Sequence, residues 1–196
     1  MVHHRGGRRG VGGVVGTTVI ERLFTAILRA AFGILGELVR GIFGAPATAV
    51  RKLTEPVDIA PASTADVIDL RHQVLRAGLP RDTAHFDGDN ESTTRHWVAR
   101  RADQIVGIVT VVARPFPDGD GPAWQLRGMA VHPSHQRVGI GAALLRVVED
   151  AVAEPMWCNA RTTAQRFYAS HGWQAVGDTF DIPTAGPHVR MVRRRD

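Results

Sequence analysis

The segment that most constrains this chain is Met129-Ala130-Val131-His132-Pro133-Ser134-His135-Gln136-Arg137-Val138-Gly139-Ile140-Gly141. An apolar strand pattern leads into it. A helix pattern follows from Ala142 to Ala153, with Leu144, Leu145, Val147 and Val148 on one side. A strand, a glycine-bearing turn and a helix in that order leave the N–H groups from Gln136 to Ala142 without helical partners. Gly139 and Gly141 let the backbone approach a ligand, the helix dipole favours an anion, and Arg137 adds positive charge. The expectation is a pyrophosphate cradle; the plain alternative is a glycine-rich turn before a buried helix. No Gly-Lys-Ser/Thr follows, so it is not a P-loop. The glycine spacing and the preceding hairpins also exclude the dinucleotide fingerprint.

The surrounding pattern places this turn in an α/β (α+β) domain over residues 55–196. Pro56 to Ala60 alternates like a strand, and Ser63 or Thr64 caps a helix that lasts until Gly78. Pro80 to Glu91 reads as a loop with an acidic tip. His96–Arg101 and Gln104–Ala113 form a hairpin about Ala102-Asp103, and Trp124–Val131 is the next strand. Met156–Asn159 is a short strand and Thr163–His171 a helix stopped by Gly172. Trp173–Val176 and Val189–Arg194 close the domain. The predicted order is β-α-β-β-β-α-β-α-β-β, with no internal repeat.

Charge and composition narrow the function. Residues 1–55 carry eight basic and three acidic residues, whereas residues 56–196 carry sixteen of each, a balance that gives little support for a nucleic-acid-binding face on the domain. One cysteine, Cys158, excludes an intrachain disulfide framework and a cysteine zinc cluster; a cytoplasmic location is expected. Residues 1–16 are rich in glycine and arginine and are expected to be disordered. Residues 17–54 hold an amphipathic helical extension and linker, with the apolar stripe running to about Phe43. The stripe is too interrupted by charge for a transmembrane span or a secretory signal. Three readings stay open: the helix docks on the domain or on a second subunit in a homodimer, residues 17–43 lie in a membrane interface, or the true start is later.

Downstream of the turn lie Asn159, then Ala164, Tyr168 and Gly172-Trp173. With Leu126 to Val131 and Gln136-Arg137-Val138-Gly139-Ile140-Gly141, these residues resemble the GNAT superfamily of N-acetyltransferases from roughly Val57 to Arg194. The resemblance implies a mixed, mostly antiparallel central sheet flanked by helices, with a splay between the fourth and fifth strands. It implies that backbone amides from Gln136 to Ala142 bind the pyrophosphate of acetyl-CoA, and that Met129, Ala130 and Val131 pair with its pantetheine arm. Asn159 would contact that arm, and Tyr168 would serve the departing thiolate. One departure stands out: where many members carry a second asparagine, this chain has Arg161.

The expected reaction is direct acetyl transfer from acetyl-CoA, without a metal, to the primary amine of a small molecule. The attacking amine must be neutral, and a backbone N–H near Val131 is the candidate oxyanion donor. Tyrosine is a weaker acid than a thiol, so Tyr168 is expected to hydrogen-bond the sulfur as much as protonate it. His132 is a candidate proton relay, or it caps the loop. His85, His96 and His188 are further histidines able to reach a cleft, and His188 in the last hairpin is a candidate for the acceptor pocket. Asp87 in the acidic tip is a candidate for attracting a cationic amine, against a solvated turn as the plain reading. Cys158 lacks a partnering signature, and the four tryptophans read as core. The alternatives are a protein or peptide N-acetyltransferase and a non-catalytic acyl-CoA-binding module.

Overall fold

The computed structural model describes residues 56–117 and 119–194. The expectations for 1–16 and 17–54 lie outside these residues. β1 (Asp58–Ala62) leads into α1 (Thr64–Leu75), and a short 3₁₀ turn follows at Arg81–Ala84. β2 (Arg95–Arg101), β3 (Gln104–Ala113) and β4 (Trp124–Val131) precede α2 (Ile140–Val152). β5 (Met156–Arg161), α3 (Gln165–Ala169), β6 (Gln174–Ile182) and β7 (Gly186–Arg193) complete the described order, which is the one expected from sequence.

The strands form one sheet in the order β1-β2-β3-β4-β5-β7-β6. Every neighbouring pair is antiparallel except β4 and β5, which run parallel. α1 starts where predicted because Ser63 and Asp66 form a reciprocal capping box: Ser63 Oγ accepts from the Asp66 N–H, and the Asp66 carboxylate accepts from the Ser63 N–H at 2.9 Å.

Helices cover both faces of the sheet. Val67 and Leu70 of α1 pack on Val98, Ile108 and Ala130. Ile140, Leu144, Leu145 and Val148 of α2 pack on the other face, against Ala99, Val109, Val111 and Leu126. Alternate residues of β2 and β3 thus reach opposite cores, and the middle of β3 is buried throughout.

β6 is longer than its sequence pattern indicates. Gly177, at φ +72°, lies where the pairing with β7 shifts register between Val176 and Phe180. The strand is mostly exposed. The register shift at Gly177 separates Thr179-Phe180-Asp181-Ile182, which alternates in its own right, from the first half of the strand. The last helix is shorter than expected, because Thr162–Ala164 form a 3₁₀ turn ahead of α3.

Candidate active site

The site starts from one irregularity in β4. Its pairing with β3 shifts between Ile108 and Thr110, and Gly128 there has φ +57°. A Cβ at Gly128 would also lie 3.0 Å from Arg71 Nε, so both backbone and space demand glycine. The bulge reverses the strand's faces. Leu126 belongs to the α2-side core, yet Ala130, four residues on, belongs to the α1 side. Met129 and Val131 turn to the α2 side instead.

Beside the bulge the sheet opens. β4 and β5 pair only at Trp124↔Met156 and Gln125↔Trp157, and then part. The His132 N–H donates to the Val106 carbonyl at 2.9 Å. In an antiparallel ladder the adjacent residue, Val131, therefore points its N–H and C=O away from β3, toward the opened side. Gln136 Nε2 donates to that carbonyl at 3.0 Å, and the Val131 N–H is left facing the gap.

The turn ahead of α2 forms the expected cradle shape. Arg137 (φ +62°) and Gly139 (φ +87°) both adopt the left-handed region, and Gly139 caps α2 without a side-chain bond. Among the described residues, no protein group accepts from the N–H groups of Arg137 to Ala142. Successive unpaired amides around left-handed residues make an anion-binding nest. A Cβ on Gly139 would meet nothing within 4 Å, so the turn is open on that side. A Cβ on Gly141 would make ordinary contacts, 3.4 Å from the Phe167 ring and 3.6 Å from the Met129 methyl.

A cleft of about 360 Å³ adjoins the parted strands. Its walls include Arg76 at the end of α1, Gly128 and Met129 of β4, Asn159 and Arg161 of β5, and His188 of β7. The Oδ1 atom of Asn159 is buried there with no hydrogen-bond partner among the described residues. A larger cavity, about 560 Å³, lies around Pro122, Pro155 and Val192 at the closed end of the β4–β5 pair. It contains none of these groups, so chemistry rather than size selects the smaller cleft.

Tyr168 is buried, and its hydroxyl donates to the Met129 sulfur at 3.6 Å. Its ring meets Trp173 edge-on at 5.4 Å. Burial pushes the phenol pKa well above the ordinary tyrosine range, with a smaller push from Cys158, so the hydroxyl keeps its proton. Burial also raises the pKa of Cys158, which makes the thiol inert.

The other candidates are scattered. His132 caps the turn after β4: Nδ1 accepts from the Ser134 N–H at 3.3 Å, and Nε2 lies 3.3 Å from Gln73 Nε2. It does not line the cleft. His188 does, and its Nδ1 must donate to the Gly186 carbonyl at 2.7 Å because that oxygen can only accept. The neutral ring therefore keeps its lone pair on Nε2. His85 is exposed and not part of the cleft lining, whereas His96 is buried between Thr110 Oγ1 (2.8 Å) and the Asp89 carbonyl (3.0 Å), where burial lowers its pKa.

The acidic tip divides. Asp87 is exposed, 3.3 Å from Arg114 Nη2, and outside the cleft lining. Asp89 is not a solvated residue: it is buried and paired with Arg71 at 2.5 Å and Arg127 at 3.1 Å. Sequence reasoning missed this, since nothing local marks one aspartate of an acidic run as an ion-pair partner. Gly128, Arg76 and Arg127 were also missed. A lone glycine inside the Trp124–Val131 strand pattern was the available signal for the bulge.

The nest, the unpartnered N–H of Val131 and the orphan oxygen of Asn159 fit coenzyme A, which offers a pyrophosphate and an amide-bearing arm. Residues 92–175 match the family described as acetyltransferase (GNAT) domain. The uncharacterized N-acetyltransferase YitI of Bacillus subtilis is 27% identical over 142 residues, covering 70% of this chain and 95% of that protein. ElaA from Escherichia coli superposes with a TM-score of 0.58 at 16% identity, covering 70% of this chain and 99% of that one. An aminoglycoside 6'-N-acetyltransferase solved with coenzyme A superposes at 0.55 with 16% identity, covering 71% and 99%.

Proposed function

The chain is homologous to the GNAT superfamily of acetyl-CoA-dependent acetyltransferases and has its fold, and from this premise we propose that it acetylates the primary amine of a small molecule by direct transfer. The observation that carries the small-molecule reading is the cleft of about 360 Å³, which is within the size range of ligand pockets and is walled by α1, β4, β5, β6 and β7 beside the parted strands.

The residues divide the work. The nest from Arg137 to Ala142 binds the diphosphate, and Asn159 Oδ1 accepts from an amide N–H of the arm. Acetyl-CoA supplies the activated acyl group as a thioester. The Val131 N–H faces the gap as the donor to the oxyanion that forms when the amine attacks the thioester carbon. Among the described residues lining the cleft, His188 is the one imidazole and no carboxylate is present. Its Nε2 lone pair is suited to take the ammonium proton, directly or through water. Tyr168 keeps its proton and donates a hydrogen bond to the leaving sulfur, which it already gives to the sulfur of Met129.

The test is thiol release from acetyl-CoA across a panel of small amines, aminoglycosides and peptides, paired with calorimetry of coenzyme A binding. Binding with turnover on small amines supports the reading. Turnover on peptides alone, or binding with no turnover on any amine, overturns it.

A further inference from the structure

We propose that the acceptor amine carries an anionic group, a carboxylate or a phosphate, which Arg76 and Arg161 hold in the cleft beside Asn159. The proposal rests on the acetyl-transfer reading above and names the class of its substrate.

Four arginines line the cleft: Arg76, Arg114, Arg127 and Arg161. Two are paired with carboxylates. Arg114 lies 3.3 Å from Asp87 and 3.6 Å from Glu91, and Arg127 lies 3.1 Å from Asp89. Among the described residues no carboxylate pairs with Arg76 or Arg161. Both instead donate to a single oxygen, the Leu75 carbonyl, at 3.0 Å each.

That arrangement is costly without a third party. Two guanidinium groups converge on one neutral acceptor at the C-terminal end of α1, where the helix dipole tethers them without cancelling their charge. The pKa of Arg76 is lowered by burial and then by the charges of Arg161 and Arg71. Phe86 lies against Arg71 at 4.3 Å and Arg76 at 4.9 Å, so one face of Arg76 is packed on a ring. An anion placed between Arg76 and Arg161 would relieve the repulsion and receive two charge-assisted bonds.

The position also limits the ligand. Asn159 and Arg161 are two residues apart on β5, so they share a face and are rooted about 7 Å apart. A molecule that reaches both the thioester gap and Arg161 carries its anion and its nitrogen on one short skeleton.

The experiment uses matched acceptors that differ only in charge. One arm compares an amino acid with its carboxamide, and the other compares phosphoethanolamine with ethanolamine. Both are read as thiol release by the wild-type full chain, by Arg76→Met, and by Arg161→Met with Arg161→Lys as the conservative variant. The expected result is a preference for one anionic member of roughly 30-fold or more in kcat/KM. The preference collapses in the methionine variants and partly returns in Arg161→Lys, while the KM for acetyl-CoA stays the same. The arm showing the preference identifies carboxylate or phosphate. Equal rates on charged and neutral members overturn this proposal and leave the transfer reading standing. If no amine turns over, the transfer reading fails. The anion site is then judged by titrating inorganic phosphate and acetate into the protein saturated with coenzyme A. Binding at least tenfold weaker in the Arg76→Met/Arg161→Met double variant supports the site. Binding that does not differ from wild type overturns it.

Discussion

The Tyr168 hydroxyl donates to the sulfur of Met129 at 3.6 Å, joining α3 to the part of β4 that the Gly128 bulge has turned. Sulfur is a weak acceptor, so this bond adds little stability. Its value is to hold the phenol where a sulfur leaving group needs a donor. Tyr168→Phe is therefore expected to lower kcat by about 10- to 100-fold, with the unfolding free energy changed by less than about 1 kcal/mol. Steady-state kinetics beside a urea melt would check both halves.

Two buried acids make stability fall in alkali. The folded pKa values of Tyr168 and Cys158 both lie above their ordinary values of 10.0 and 9.0, chiefly through burial. A raised folded pKa gives full stability below the unfolded value and loses it as pH rises toward the folded one. The melting temperature should thus be insensitive to these groups up to about pH 9 and decline beyond it. Cys158→Ala should flatten the first part of that decline. In the native state Cys158 should react with a thiol reagent only after unfolding.

Gly128→Ala meets two penalties: a left-handed φ of +57° and a Cβ 3.0 Å from Arg71 Nε. We expect a loss of about 1–3 kcal/mol in chemical denaturation. We also expect a lower kcat, because the bulge sets the facing of Met129 and Val131. Unchanged stability would mean that β4 can shift its register without cost.

Gly139→Ala separates strain from ligand space. Its Cβ would meet nothing within 4 Å of the protein, although φ is +87°. The expected stability loss is about 1 kcal/mol, from backbone strain alone. Coenzyme A affinity should fall by about tenfold or more, because the new methyl takes up open space on the turn that carries the nest. Calorimetry at fixed ionic strength would show it.

Asp89→Asn leaves the fully buried Arg71 without its carboxylate and removes the partner of Arg127. The expected cost is about 3–5 kcal/mol, the range for breaking a buried pair by removing one member. Arg71 also donates to the Ala84 carbonyl at 2.9 Å and Thr110 at 2.9 Å, so the loop from Arg81 to Asn90 should loosen first. Hydrogen exchange over that loop would report it.

Much of this site is local and therefore readable along the chain. The nest is a stretch of consecutive residues whose glycines and helix start set the geometry of their own amides. The Ser63 cap, the Ala102-Asp103 turn and the apolar stripe of α2 are legible for the same reason. Tyr168 and Asn159 were picked by their resemblance to a family, and folding brings them to β4 and to the cleft wall respectively. His132 illustrates the limit: its place at the strand end and its local bond to Ser134 follow from the turn, but its contact with Gln73 depends on how α1 packs.

The sequence alone determined the order of elements, the helix start that exposes its amides, and the strand-rich domain that carries it. Each follows from periodicity and conformational preference within a few residues. Only the tertiary structure decided which charges are spent and which are free. Asp89 pairs with both Arg71 and Arg127, while Arg161 reaches the Leu75 carbonyl across 86 residues of chain to meet Arg76 there. Coulomb interactions depend on distance in space and on burial, and neither quantity is written in the spacing of residues.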